Sequence, residues 1–477
     1  MKFLGERQAI LIVFAVIFIY VLIMGAVSVA RHYNFQTQAW DMGIFAQTFW
    51  NTAHGRVMQN SIEEVPNHFG VHMSPILFIL VPGFLIFPSV YYLLIVQTLA
   101  LALGAWPLYL FAKKILERKD LALALAAGYL LYPPLHWVNL FDFHPVAFLV
   151  PALLAAFYFF YEKKWFWFWV FMVVAAASQE DAVLAAMFAG LFLAALRWDE
   201  KKERKMGLAA ALIALVYFVL SMKIIMPYFG GGLLRLDRYA ELGGSVGEIA
   251  RNLLFNPALF FKTAFSAQKL SYLFWLFLPV AFLPFVYLPA ILLLIPGLLE
   301  NLLTSFGNQF SGFYQYDSML IAGIFISSVY GLRTLLKRRP DKALLFKSII
   351  ICAIFAGFLL RSPVSPFSFP VEFFKSNERQ QTLRQIVKSV PSGASVAAET
   401  NIVPHLSDRE YVYMSGSEPF MVDVVILDGA DFFGFKDPDS FRKYADSYAN
   451  AGEYDVRVIK ERYIVFTKKG LFLETEQ

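Results

Sequence analysis

The sequence predicts an α-helical polytopic membrane protein of about eleven transmembrane helices, followed by a small carboxy-terminal α/β domain. Three observations predict it. Of the 477 residues, 58% are hydrophobic and only 16% charged, with 50 Phe, and the mean hydropathy is +0.56. A soluble protein of that make-up would expose far too much apolar surface. The basic residues sit in short clusters between apolar runs, the pattern of a multi-pass chain. From about residue 371 the composition turns soluble.

The elements follow in order. A span needs roughly 20 mostly apolar residues. The first runs over about 9–30, too long for a signal-peptide core, with no small-residue cleavage site promptly after it. A polar segment, 31–72, precedes a proline-broken apolar stretch at 75–88, too short to span comfortably. Further spans fall near 91–112, 121–139, 146–161, 165–179, 182–198, 207–227, 271–286, 287–304, 318–336 and 346–360. Ser362–Pro370 is a Pro-rich tether. Beyond it, Ser376–Val390 and Asp437–Asn450 read as helices. Ala394–Ala398, Glu410–Met414 and Val422–Leu427 read as strands, and 454–467 as a hairpin. The domains are thus 1–365, transmembrane, with loops 31–90 and 228–270, and 371–477, a soluble α/β domain.

Orientation comes from the short loops. Lys2 and Arg7, Lys113 to Lys119, Lys163 and Lys164, Arg197 to Lys205, and Lys337 to Lys342 all fall on one side when spans alternate. By the positive-inside rule that side is cytoplasmic. The amino terminus is then cytoplasmic in the cell membrane, and the carboxy-terminal domain is exterior. The net charge of +5 needs no nucleic-acid partner. The single cysteine, Cys352, excludes an intrachain disulfide and a thiolate metal site.

Polar residues at the edge of a membrane are costly and need a partner or a role. Here they gather in the exterior loops. Asp41 stands in W-D-M-G-I-F, Asp142 and His144 in N-L-F-D-F-H-P, and Glu180 and Asp181 in S-Q-E-D-A. His68 and His72 are four residues apart, on one face if that piece is helical. Carboxylates with imidazole and no thiolate suit Mn²⁺ or Mg²⁺. Asp142, His144, Glu180, His68 and His72 are the candidate ligands of such a divalent cation. Asp41 has a plainer reading as the N-cap of a helix starting at Met42. Glu180 has one as the ion-pair partner of Arg56 or Arg238. Arg56, Arg235 and Arg238 would offset phosphate charge at the rim.

These motifs carry a resemblance. Asp41-Met42-Gly43-Ile44-Phe45, Trp50-Asn51-Thr52-Ala53-His54-Gly55-Arg56 and His68-Phe69-x-x-His72-x-Ser74-Pro75 resemble a family of prokaryotic membrane proteins of unknown function. Phe141-Asp142-Phe143-His144-Pro145 and Gln179-Glu180-Asp181-Ala182 resemble its later motifs. The likeness runs over roughly residues 10–430. That family is similar to the GT-C superfamily of glycosyltransferases, which use polyprenyl-linked sugar donors.

The resemblance implies a GT-C-like fold and an inverting transfer of sugar from a polyprenyl-phosphate-linked donor to an unknown acceptor, on the exterior face. It implies Asp41 as the catalytic acidic residue of the first exterior loop, and Asp142-x-His144 as the metal motif of the second. Asp181, Tyr314 and Tyr316 fall among the substrate-binding positions with the three arginines. The loop Gly312–Tyr316 has no Arg or His of its own, and the tail has no W-W-D-x-G motif of an oligosaccharyltransferase. Asp41, Asp142, His144 and Glu180 are expected to converge. Two readings of other classes use the same residues: a transporter or flippase for a lipid or small solute, and a non-catalytic membrane scaffold.

Overall fold

The computed structural model describes residues 5–232 and 235–471. Lys2 and the extreme ends of both expected domains lie outside them. Among the described residues six helices are long and apolar enough to cross a membrane: Glu6–Tyr33, Val90–Leu116, Lys119–Leu140, Lys201–Tyr228, Gln315–Arg338 and Pro340–Arg361. Four shorter apolar helices stand at Ile76–Ile86, Pro145–Tyr161, Trp165–Ala176 and Ala182–Leu196. Each overlaps a segment read from hydropathy. The exception is 271–304, expected as two spans. It holds a helix Ala267–Phe277, three 3-10 turns and a helix Ile295–Leu303. Leu-Pro recurs at 278–279, 283–284 and 288–289, and each proline lacks the N–H that a continuing helix needs. The freed carbonyls find other donors. Tyr132 donates its hydroxyl to the Leu276 carbonyl (2.7 Å) and Ser327 to that of Ala290 (3.0 Å). Irregular backbone of this kind is tolerated in an apolar setting only where protein satisfies it.

Chain contacts divide the molecule into two units. The first holds Met1–Ala26, His72–Leu77 and Ile95–Pro370. Within it, small residues let helices meet closely. A Cβ at Gly190 would lie 2.7 Å from the Gly207 carbonyl oxygen, and one at Gly207 would lie 2.6 Å from the Ala194 nitrogen. That is the small-residue packing of membrane helices, which have no hydrophobic drive to associate. Ion pairs tie the basic clusters together: Lys113 and Lys119 to Glu6 (2.7 and 3.1 Å), Lys114 to Glu162 (2.6 Å), Lys163 to Glu203 (2.7 Å), Lys347 to Asp120 (3.4 Å). Loops far apart in sequence therefore share one end of the bundle. Lys119–Leu140 starts there and Ala182–Leu196 finishes there, so residues 141–144 and 180–181 lie toward the opposite end.

The second unit holds Val27–Val71, Phe78–Leu94 and Val371–Gln477. Its centre is a five-stranded sheet: β1 Val396–Ala398, β2 Val412–Met414, β3 Val424–Asp428, β4 Tyr454–Ile459 and β5 Tyr463–Lys468. The order is β2-β1-β3-β5-β4. β1 lies parallel to β2 and β3, and β5 antiparallel to β3 and β4. Side chains alternate between faces. Val396, Val424, Ile426 and Val465 pack with Leu383 and Ile386 of the helix Glu378–Ser389, and with Phe35 and Ala39. Val425, Leu427 and Phe466 pack with Phe441 and Tyr448 of the helix Pro438–Ala449. The segment 31–71, read from sequence as a loop of the transmembrane part, belongs to this unit. It also covers a sheet edge: Ser61 Oγ donates to the Val412 carbonyl (2.7 Å) and accepts its N–H (3.0 Å).

Candidate functional site

The turn 141–144 joins the helix Pro133–Leu140 to the next helical segment, which opens at Pro145. Asp142 takes a left-handed φ of 51°, a conformation Asp adopts more readily than most residues. A buried glutamine, Gln97, clamps the turn from both sides. Its amide donates to the Asp142 carbonyl (2.7 Å), and its oxygen accepts the His144 N–H (2.7 Å). His144 Nδ1 lies 2.9 Å from the Phe141 carbonyl. The edge of Phe141 meets Tyr314 with centroids 4.5 Å apart.

The second motif sits at the start of the helix Ala182–Leu196. Asp181 is its N-cap and accepts the Ala182 N–H (2.7 Å). Glu180 pairs with His72, Nδ1 to Oε1 at 2.8 Å, and its other oxygen accepts the Met73 N–H (2.9 Å). The expected ion-pair partner, Arg56 or Arg238, is thus replaced by an imidazole close to Glu180 in space and 108 residues away in sequence. Burial pushes the Glu180 carboxyl up, but His72 and the backbone donors outweigh it and hold it below the usual range. For Asp181, burial and the Glu180 charge act together and push it up to about 7. Two adjacent carboxyls are thereby set to opposite states near neutrality.

A third group closes the arrangement. Arg238 lies over Phe306 (4.4 Å) and reaches the Tyr316 hydroxyl (3.4 Å). Its carbonyl accepts from Ser305 N (2.7 Å), which pins the 236–239 turn to the 304–306 loop. Tyr239 donates to the Glu300 carbonyl (3.2 Å), and Gln309 donates to the Glu300 carboxylate (3.2 Å). Glu300 is within electrostatic reach of Asp181, Glu180 and Arg238, and Tyr239 of Asp181. Ring contacts and a hydrogen bond therefore run from Phe141 through Tyr314 and Tyr316 to Arg238, and the Glu180–His72 pair and Asp181 are linked to this group through the electrostatic reach of Glu300. Sequence reading missed Gln97, Tyr239, Glu300 and Gln309. Gln97 and Glu300 did carry a signal, being strongly polar residues inside expected spans.

The other expected residues lie in the sheet-bearing unit. Asp41 stands in a five-residue π-helical turn, Ala39–Gly43, a geometry frequent at functional sites. The following helix, Ile44–Ala53, has Gly43 as its N-cap without a side-chain cap bond, so Asp41 is not its cap. Ala39 N–H donates to Thr400 Oγ1 (3.2 Å), which in turn donates to Gln38 (3.0 Å), so the tail seats this turn. Arg56 bonds Asn51 (2.8 Å) and pairs with Glu410 (3.4 Å). His68 is fully buried against both oxygens of Glu63, each at 3.1 Å. Its helix spans His68–Val71 and stops before His72, so the two imidazoles do not share a helical face. Arg235 caps the 3-10 turn Leu236–Tyr239 of the other unit.

The family model described as "Predicted membrane protein (DUF2079)" matches residues 31–465. The chain belongs to the DUF2079 family. Among curated proteins none matches it significantly. Among solved structures, ArnT from Cupriavidus metallidurans bound to undecaprenyl phosphate is similar to this DUF2079 protein with a TM-score of 0.57 at 11% identity, over 99% of this chain and 100% of that one. The same ArnT in the apo state gives 0.50 at 12% identity, over 94% and 97%. At such identity the likeness shows the fold, and the GT-C-like architecture expected from the motifs is the one observed.

Whether the DUF2079 residues fit a divalent cation is a separate question. Among the described residues, no three His, Cys, Asp or Glu side chains cluster closely enough to hold one. His68 is held by Glu63 and His72 by Glu180. The expected five-ligand set, as placed among the described residues, does not fit a resident metal.

Proposed function

We propose that this DUF2079 protein is a membrane glycosyltransferase that moves a sugar from a polyprenyl-phosphate-linked donor to an acceptor on the exterior face. The observation that carries the reading is the end-to-end likeness of fold to ArnT, a protein solved with undecaprenyl phosphate. The linked polar site at the bundle end opposite the basic clusters supports it. In the proposed reaction, a carboxylate, which the motif resemblance alone assigns to Asp41, accepts the proton of the acceptor hydroxyl. The hydroxyl oxygen bonds to the anomeric carbon, and the bond from that carbon to the phosphate oxygen breaks. The lipid phosphate leaves with the electron pair, and the single displacement inverts the anomeric centre. Arg238, fixed between Phe306 and Tyr316, offsets the charge of the leaving phosphate. Glu180, held ionised by His72, and Asp181, with its raised affinity for a proton, orient sugar hydroxyls as acceptor and donor. The apolar helix Ile76–Ile86, with Ile79 and Ile86 exposed, offers a wall for the polyprenyl chain.

The test is transfer from radiolabelled polyprenyl-phosphate sugars by the purified full chain in proteoliposomes. Asp41→Asn should lower the rate about 100-fold or more while leaving the melting temperature in place. Chelation with EDTA should leave the rate unchanged. Movement of the labelled lipid between leaflets without sugar transfer would overturn the reading in favour of a flippase.

A further inference from the structure

One cavity takes no part in the site above. It lies in the helical unit, lined by Trp137, Tyr272, Trp275, Gly312, Asp317 and Arg361, among others. It encloses about 300 Å³ of empty space with its open mouth included, and about 20 Å³ of it is deep enough to admit a water-sized group. A tip of a head group fits the inner part, and the bulk of a ligand stays at the mouth.

Two ionisable side chains line this space with no ion-pair partner among the described residues. Arg361 ends the helix Ala343–Arg361, with its guanidinium over Trp275 (5.2 Å) and Phe313 (4.8 Å). Among the described residues no carboxylate pairs with it. A cation at a helix carboxy terminus is favourable in itself, but stacking between two rings also fixes the plane of its five donors. Asp317 is 1% exposed. Its Oδ1 accepts the Tyr272 hydroxyl (2.6 Å), which is itself fixed by Asn301 (2.9 Å). Its Oδ2 has no hydrogen-bond partner. Gly312 lies alongside, with a left-handed φ of 77° that suits glycine, and a Cβ there would be 3.8 Å from Oδ2.

We propose that Arg361 and Asp317 form a subsite for a phosphate ester whose alcohol part carries a hydroxyl or ammonium group. The guanidinium takes the phosphate at the mouth, and Asp317 Oδ2 accepts the donor that reaches the inner end. Trp137 and Trp275 wall the cavity with the amphipathic rings that suit the level of lipid head groups. The inference stands apart from the transferase reading, because a glycerophospholipid and a polyprenyl phosphosugar share this chemistry.

The experiment is native mass spectrometry of the delipidated full chain, titrated with five lipids. They are phosphatidylglycerol, phosphatidylethanolamine, phosphatidylcholine, polyprenyl phosphate and a polyprenyl phosphosugar. The first two and the phosphosugar carry a donor. Phosphatidylcholine carries a quaternary ammonium, which has no hydrogen to donate. Donor-bearing lipids should bind about tenfold more tightly than their donor-free counterparts. The arm that binds best names the source as membrane lipid or glycosyl carrier. Arg361→Gln should weaken all five about tenfold. Asp317→Asn should erase the preference for donors while keeping phosphate binding, and if that variant fails to fold the preference of the native chain decides by itself. Equal binding of all five lipids by the native chain, or binding unchanged in Arg361→Gln, would overturn the proposal.

Discussion

Glu180 and Asp181 are neighbours in sequence, share one turn and titrate in opposite directions. His72 and the Met73 N–H hold the first ionised, and burial beside that charge keeps a proton on the second up to about pH 7. The consequence for stability has a definite sign. The Asp181 carboxyl has a folded-state value of about 7 against an ordinary 3.8. Between these values the folded state binds more protons than the unfolded state. Its contribution to stability is therefore lost as pH rises from about 4 to about 7, and is flat above. Asp181→Asn removes that dependence. Relative to wild type, its melting temperature in detergent should rise between pH 5 and pH 8, and an offset equal at both would disprove the assignment. His72→Gln should act through the other carboxyl. It removes the main group that holds Glu180 down, so wild type loses the Glu180 part of this advantage as pH falls below the ordinary carboxylate value.

At the level of elements, the segment 278–296 decides how the helical unit closes. Its 3-10 turns lie against the helix Ser318–Arg338, and glycines on that helix make the room. A Cβ at Gly331 would collide with the Leu283 carbonyl oxygen, and one at Gly323 would lie 2.9 Å from that of Leu293. Ala281 and Phe282, just before the first of these contacts, both take left-handed φ, 51° and 54°. Gly331→Ala should cost about 1–3 kcal/mol, the range for overpacking a tight contact, read as a lower melting temperature in detergent. An unchanged melt would mean that the segment yields easily. Hydropathy alone could not reveal this closure, because broken and unbroken apolar segments score alike. The recurrent Leu-Pro steps were the visible sign.

For the whole molecule, the ion pairs among loops 6, 113–120, 162–163, 203 and 347 show that the basic clusters share one end. The positive-inside rule leads us to expect that end in the cytoplasm, which a fusion experiment tests. A fluorescent protein that folds only inside the cell should be bright when fused to the amino terminus and dark at the carboxy terminus. The reverse pattern would invert the topology and move the linked polar site to the cytoplasmic face.

Composition and periodicity by themselves determined most of the helices, the strands of the tail and the motifs at the loops. These features are local: a span follows from about 20 apolar residues, a strand from alternation, and a costly charge is visible wherever it stands. The helix expected at 376–390 appears as Glu378–Ser389 with a full capping box from Asn377 and Gln380, all within four residues of chain. Tertiary structure alone decided who meets whom. It gave Glu180 to His72 and His68 to Glu63, clamped the Asp142 turn with Gln97, and joined 31–71 to the tail sheet. Each of these matches a charge or a backbone group to a partner that must relieve its burial. Many residues could serve in sequence, and packing brings one of them within reach.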